Sequence, residues 1–182
     1  VGGGVPAGLP RVPSVQAFAD AAAAVLASVP ARARPARLAV EPGRSVAAGA
    51  GWLVGRVLHV RERAGTRQVV LDAGMTELVR PALYGAEHPI YALTSGGRPV
   101  PIGPGGEDAV IHGPICESTD RLGLASLPPL ARGDLVAIGL AGAYASVMAS
   151  TYNGRPNPPE VLLEEDGGRV VLRRRGSLRS LL

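Results

Sequence analysis

The sequence predicts an α+β chain in two parts. Residues 1–46 read as the end of a parallel α/β unit, and residues 47–182 as a mainly antiparallel β-domain, a sandwich or barrel. Three observations carry this expectation. Val15, Phe18, Ala22, Val25, Leu26 and Val29 recur at helical spacing between Ser14 and Pro30. From Trp52 onward, apolar residues fall instead into short β-rich runs broken by Gly, Pro and Asp. The chain has 182 residues, 46% of them hydrophobic and 19% charged, so it can bury a core and is not a disordered segment.

Taken in order, Gly2-Gly3-Gly4 opens a Pro/Gly loop that runs to Pro13. Ser14 is a candidate N-cap for a helix over 14–29, which Pro30 and Pro35 stop. Arg37 to Glu41 is an expected short strand, closed by Pro42-Gly43. A glycine loop, a helix, a strand and a second glycine turn make the texture of a βα unit whose beginning is missing. Expected strands then follow at 52–60, 68–72, 88–93, 109–112 and 135–140. The runs 160–163 and 169–172, joined by Asp166-Gly167-Gly168, predict a hairpin. Ser95 to Gly106 is rich in Gly and Pro and is expected to be a surface loop.

Composition removes several function classes. Cys116 is the single cysteine, which excludes an intramolecular disulfide and a cysteine metal cluster. All 19 basic residues are arginine, so these residues contain no lysine nucleophile or Schiff-base lysine. Aromatic residues make up 3%, too few for a base-stacking platform. The arginines are dispersed except for Arg173-Arg174-Arg175 and Arg179, which read as a solvated tail and not as a nucleic-acid surface. Residues 135–154 carry no charge, but Gly139, Gly142, Ser146, Ser150 and Asn153 favour buried core over a membrane span. No targeting segment is visible in residues 1–182, and a cytoplasmic protein is expected. His59, His88 and His112 lack metal-ligand spacing and read as structural or surface histidines.

Several short motifs have functional potential, each with an ordinary alternative. Gly2-Gly3-Gly4 can bring backbone N–H groups close to a phosphate, or can be a plain turn. Glu41-Pro42-Gly43-Arg44 offers a glycine for close approach and an arginine for an oxyanion, or a Pro-Gly turn with a surface arginine. Arg80 and Tyr84 flank an expected proline-limited loop and could share a carboxylate, or could be an ion-paired arginine and a half-buried tyrosine. Cys116 lies in the polar stretch Gly113–Asp120 beside Glu117, a setting for a proton donor as well as for a small packed side chain. Tyr144 follows an apolar strand and could cap a cofactor or fill the core.

The order of these motifs is more specific than any one of them. Gly-Gly-Gly, Glu-Pro-Gly-Arg-Ser, Asp-Ala-Gly-Met, Arg-Pro-Ala-Leu-Tyr, Gly-Pro-Ile-Cys-Glu-Ser-x-Asp, Gly-Ala-Tyr, Tyr-Asn-x-Arg-Pro and Pro-Glu-Val-Leu follow one another. That succession resembles the C-terminal half of the diaminopimelate decarboxylase family, pyridoxal-phosphate enzymes with an alanine-racemase-like fold. The resemblance covers essentially the whole chain. It implies that residues 1–46 are the last part of a cofactor-binding α/β barrel of the TIM type, whose first half is missing, and that 47–182 carry substrate and dimer-interface loops.

The resemblance also implies residue roles. Gly3, Gly4, Glu41, Pro42, Gly43, Arg44 and Tyr144 would bind pyridoxal 5'-phosphate, with Glu41 near the pyridine nitrogen. Arg44, Arg80, Tyr84, Glu117 and Tyr144 would bind the amino-acid substrate, Arg80 and Tyr84 on its distal carboxylate and Glu117 on its distal ammonium. Cys116 would reprotonate Cα. In a homodimer, Cys116 and Glu117 would reach into the neighbouring subunit's site. The implied reaction is decarboxylation of meso-2,6-diaminopimelate to L-lysine. The alternatives are a relative acting on another amino acid, ornithine- or arginine-like or carrier-bound, and a catalytically incomplete dimerisation and substrate-binding fragment. The chain departs from the family pattern in three ways: Ala145 stands in place of a usual Gly, Gly49 in place of a frequent Asn, and the Schiff-base lysine and cofactor-stacking histidine, which belong to the family's first half, are missing.

Overall fold

A computed structural model describes residues 14–181. Helix α1 (Val15–Ser28) begins where the sequence places it, with Ser14 Oγ accepting the Ala17 N–H at 3.1 Å. Arg34 closes its other end, donating to the Val29 and Ala27 carbonyls at 2.9 and 2.8 Å. No residue of α1 is buried. Phe18, Ala22, Leu26 and Val29, spaced as one stripe, are only half-covered.

The expected strand at 37–41 does not form. These residues are exposed and irregular and belong to none of the sheets formed by the described residues, and a strand exists only as part of a hydrogen-bonded ladder. The chain instead enters a short helix α2 (Gly43–Ala47) and a 3-10 turn at Ala48–Ala50. The helix straddles the expected boundary between residues 46 and 47. It is fastened to the β-domain, since Gly142 N donates to Ala48 O and Ala141 N to Gly51 O, at 3.0 and 2.9 Å.

The β-domain contains β1 (Leu53–Arg63), β2 (Thr66–Leu71), α3 (Arg80–Tyr84), β3 (Ile90–Ala92), β4 (Thr94–Ser95), β5 (Arg98–Pro99), β6 (Glu107–His112), β7 (Arg121–Leu127) and β8 (Leu135–Ile138). Six of the strands form one sheet in the order β3-β8-β1-β2-β6-β7. Every pairing is antiparallel except β2 with β6. The sheet curls until its two edges approach, with Ile90 of β3 against the Gly123 backbone of β7. Long β1 makes the curl possible: Leu53–Arg56 pair with β8, and Val57–Arg63 pair with β2 across a register shift between Val57 and His59.

Alternate side chains fill the interior. Val57, Val69, Leu71, Ile111, Leu122, Leu127, Val136 and Ile138 are all at most 1% exposed. Truncating a side chain such as Leu71 to Ala removes its packing and leaves a cavity, a loss of about 2–5 kcal/mol. The expected hairpin is present as β9 (Glu160–Leu163) and β10 (Arg169–Arg173), paired separately from the main sheet. The expected Ser95–Gly106 loop is not wholly irregular, because β4 and β5 pair across Gly96-Gly97.

Candidate functional site

The first cluster of candidate side chains is built on α3 and its neighbours. Helix α3 replaces the loop expected around Arg80 and Tyr84. Pro81 suits its first turn, and Gly85 ends it at φ 60°, its N–H bonding back to Pro81 O at 3.0 Å. Arg80 and Tyr84, four residues apart, therefore share a helix face. Arg80 is half-buried and Tyr84 exposed. Burial, and next the guanidinium of Arg44, push Arg80 below its ordinary pKa, while Tyr144 and Tyr84 act in the opposite sense. The fold thus gathers Arg44, Arg80, Tyr84 and Tyr144, which the sequence separates by as much as a hundred positions.

Each member is held by a different device. Arg44 sits on α2, which the Ala48–Gly142 bond fixes beside the loop of Tyr144. Tyr144 is about half exposed and has φ 63°, the left-handed conformation that costs a side-chain-bearing residue roughly 1–2 kcal/mol. Its loop is anchored by Ser146, whose hydroxyl donates to Glu160 Oε2 at 2.8 Å and accepts from Arg173 Nη1 at 3.1 Å. The separate hairpin thereby holds the Tyr144 loop in place. Arg80 Nη1 meets His88 Nε2 at 3.2 Å.

A second group surrounds Cys116. With Glu117, Arg61, Val70, His112 and the flanking loop, it lines a hollow of about 510 Å3 whose lining includes none of the Arg80 group. Cys116 is a free, exposed cysteine. The Thr119 N–H and the Ser118 hydroxyl, at 3.4 and 3.3 Å, bond the Glu117 carboxylate and hold it below the usual carboxylate range. Glu117 is thus an anion at neutral pH. His112 Nε2 is buried without a hydrogen-bond partner among the described residues, and burial, then Arg121 and Arg61, lower its pKa.

Of the other expected site residues, Glu41 and Pro42 are exposed just ahead of α2. Gly43 opens α2 with no atom within 4 Å of where a Cβ would stand, so its backbone is approachable by a ligand. Gly3 and Gly4 lie outside the described residues. Sequence reasoning missed the residues that position the site: His88, Asp120 and Glu160. Asp120 and Glu160 stand within the motifs quoted above, but their positioning contacts to Met75, Ser146 and Arg173, like that of His88 to Gly139, join segments distant in sequence. No group of His, Cys, Asp and Glu among the described residues could hold a metal ion. No described helix is long and apolar enough to cross a membrane.

Residues 26–142 match the family described as pyridoxal-dependent decarboxylase, C-terminal sheet domain. A diaminopimelate decarboxylase of Helicobacter pylori is 43% identical over 136 residues, 74% of this chain and 32% of that protein. One from Deinococcus radiodurans is 44% identical over 151 residues, 79% of this chain and 36% of its own length. The chain therefore spans about a third of the length of the curated relatives it matches. Among solved structures, M. jannaschii diaminopimelate decarboxylase in complex with L-lysine superposes with a TM-score of 0.78 at 34% identity, covering 98% of this chain and 40% of that one. A lysine/ornithine decarboxylase of Vibrio vulnificus complexed with cadaverine is more distant, with a TM-score of 0.58 at 28% identity over 79% of this chain and 37% of that one.

Proposed function

The chain belongs to the pyridoxal-dependent decarboxylases and carries their C-terminal sheet domain, and on that premise we propose that it supplies the substrate grip and the proton donor of a decarboxylase converting meso-2,6-diaminopimelate to L-lysine. The observation that carries this reading is the convergence of Arg44, Arg80, Tyr84 and Tyr144. Two guanidiniums that repel each other are kept together by α2 and α3. An anion between them removes the repulsion, and the two tyrosines offer further donors. A substrate with a distal carboxylate uses this arrangement. Ornithine, with no distal carboxylate, does not.

The residues present fit pyridoxal 5'-phosphate in their donor chemistry. The open backbone at Gly43, the Arg44 guanidinium and the exposed Tyr144 ring are groups that would hold a phosphorylated aromatic ring, with Glu41 two residues before Gly43. When bound, the cofactor supplies an electron sink for the pair released at Cα. Arg80 and Tyr84 hold the distal carboxylate, and the Glu117 anion holds the distal ammonium. As the bond from Cα to the departing carboxylate breaks and CO2 leaves, the exposed Cys116 thiol gives its proton to Cα. The separation of the Cys116 hollow from the Arg80 group supports a homodimer in which each subunit lends Cys116 and Glu117 to the other's site. The 182 residues contain no lysine, so the Schiff-base lysine would come from outside them. We place the complete enzyme in the cytoplasm.

The test is substrate choice by the full natural protein. Turnover is expected with meso-diaminopimelate and not with ornithine or arginine. Turnover of ornithine alone overturns the proposal in favour of the ornithine-type relative.

A further inference from the structure

His88 is 7% exposed, and both of its ring nitrogens are engaged. Nδ1 lies 2.9 Å from Gly139 O. A carbonyl oxygen can only accept, so Nδ1 carries the proton. In the neutral ring Nε2 is then a lone pair, and it faces Arg80 Nη1 at 3.2 Å, where the guanidinium N–H donates to it. The ring is therefore a rigid spacer between a fixed backbone carbonyl at the end of β8 and the side chain of Arg80 on α3. An arginine has several free torsions, and a long side chain held at one point loses most of its alternative positions before a ligand arrives.

We propose that His88 is a positioning residue, which fixes the Arg80 guanidinium for the distal carboxylate of the substrate by accepting a hydrogen bond from it. The inference rests on the reading of Arg80 as the carboxylate grip. It assigns a role to a histidine that its sequence context marks only as structural. The bond needs a neutral ring, and the surroundings favour one: burial and, to a lesser degree, the Arg80 charge lower the pKa of His88, against the bond to Gly139. Arg80 is the charged group that acts on the ring, with Arg44, Tyr84 and Tyr144 behind it. A protonated His88 would present a donor to a donor, and the guanidinium would be pushed away.

The experiment compares two ligands on the holoenzyme of the full natural protein. L-lysine carries the distal carboxylate, and cadaverine has the same chain and amines without it. Dissociation constants are measured by calorimetry for the wild type, Arg80→Ala, His88→Ala and His88→Gln. His88→Ala is expected to weaken L-lysine about tenfold, the value of one hydrogen bond to a charged group, and cadaverine less than about twofold. His88→Gln retains an acceptor and is expected to recover most of the loss. It also serves as the second variant if removal of the buried ring prevents folding. In the wild type, L-lysine affinity is expected to hold through the ordinary histidine range and to fall only at more acid pH, because the His88 pKa is lowered, and this dependence should flatten in His88→Gln. If Arg80→Ala weakens L-lysine and His88→Ala does not, the positioning role is wrong while the grip stands. Equal weakening of both ligands by His88→Ala also overturns it, as a packing effect. If Arg80→Ala leaves L-lysine binding unchanged, the grip itself fails.

Discussion

Asp120 Oδ1 accepts a 2.7 Å hydrogen bond from the Met75 N–H, joining the loop of Cys116 to a turn 45 residues earlier in the chain. Its Oδ2 accepts from Ile115 N at 2.9 Å, and its own backbone N–H and C=O bond Glu117 O and Gly113 N at 3.1 and 2.9 Å. Gly74 and Gly113 press against the carboxylate so closely that neither position has room for a Cβ. A buried aspartate with this many backbone partners fixes where the Cys116-Glu117 loop stands. Asp120→Ala leaves the Met75 and Ile115 N–H groups without an acceptor, an expected loss of about 2–4 kcal/mol in urea unfolding. Asp120→Asn should fall between, since its amide offers one acceptor where the carboxylate has two. Equal stability of all three proteins would refute the anchoring role.

Cys116 itself should behave differently, because it is exposed and contributes no packing. Cys116→Ala in the full natural protein should slow product formation by about a hundredfold or more, the usual range for loss of a positioned proton donor. Cofactor affinity should stay nearly constant, since the proposed role places the residue at Cα and not on the phosphate. Activity at the wild-type level would return Cys116 to the status of a surface loop residue.

The sequence was legible where structure is local. The α1 periodicity with its Ser14 cap, the β9–β10 hairpin and the apolar strands β1, β2, β6 and β8 all rest on patterns within a dozen residues. The strand β7 escaped because Arg121-Leu122-Gly123-Leu124-Ala125-Ser126-Leu127 is poor in β-branched residues, and Gly123 is there to admit Ile90 from the opposite sheet edge. Helix α3 is too short to show a period, although Pro81 at its start and Gly85 at its end are the two signals that could have revealed it. The apolar run at 37–41 misled for the converse reason, since β propensity without a partner strand makes no ladder. At the site, residue types and motif order pointed to Arg80, Cys116 and Tyr144. The supports of those residues were invisible, because the His88–Gly139 and Asp120–Met75 contacts follow only from the closed sheet.

Asp134 is a second buried carboxylate, 1% exposed, and it holds the β4–β5 turn to the start of β8. It accepts from the Ala131, Gly96 and Gly97 N–H groups at 2.8, 2.9 and 2.8 Å and from the Thr94 hydroxyl at 3.0 Å. Burial raises its pKa, but the four bonds together outweigh burial and hold it below the ordinary value. A depressed pKa makes the unfolded chain the better proton binder. The stabilisation is therefore complete above the unfolded pKa of about 3.9 and is lost as pH falls through the folded value. Asp134→Ala should cost about 2–4 kcal/mol near pH 7 and should flatten the acid limb of the stability curve. A variant that retains the wild-type acid limb would show that other carboxylates carry it.

Helix α1 and the curled sheet should differ in local stability. The helix has a cap at each end but no buried residue, whereas β1, β2 and β8 are central strands with wholly buried side chains. In this 182-residue chain, amides of residues 15–28 should exchange within minutes, while those of Val57, Val69, Leu71 and Val136 should be protected as strongly as global unfolding allows. Equal protection in α1 and β1 would mean that the half-covered stripe of Phe18, Ala22, Leu26 and Val29 is packed more firmly than its exposure indicates.

Tyr144 combines backbone strain with a proposed role in binding, and three substitutions separate the two. At φ 63° a Cβ is crowded whatever the side chain, so Tyr144→Ala keeps the strain and Tyr144→Gly relieves it. Both lose the same ring. Their difference in stability therefore isolates the backbone, and the Gly variant should be the more stable by about 1 kcal/mol. If substrate and cofactor contacts depend on the ring, Ala and Gly should be equally poor in L-lysine binding despite that difference. Tyr144→Phe keeps the ring and removes the hydroxyl, so it should bind cofactor nearly normally while weakening L-lysine by the value of one hydrogen bond, about fivefold to tenfold. An Ala variant as stable as the Gly variant would show that the loop relaxes out of the left-handed region once the ring is gone. The anchor at Ser146, Glu160 and Arg173 would then not be what holds Tyr144 in place.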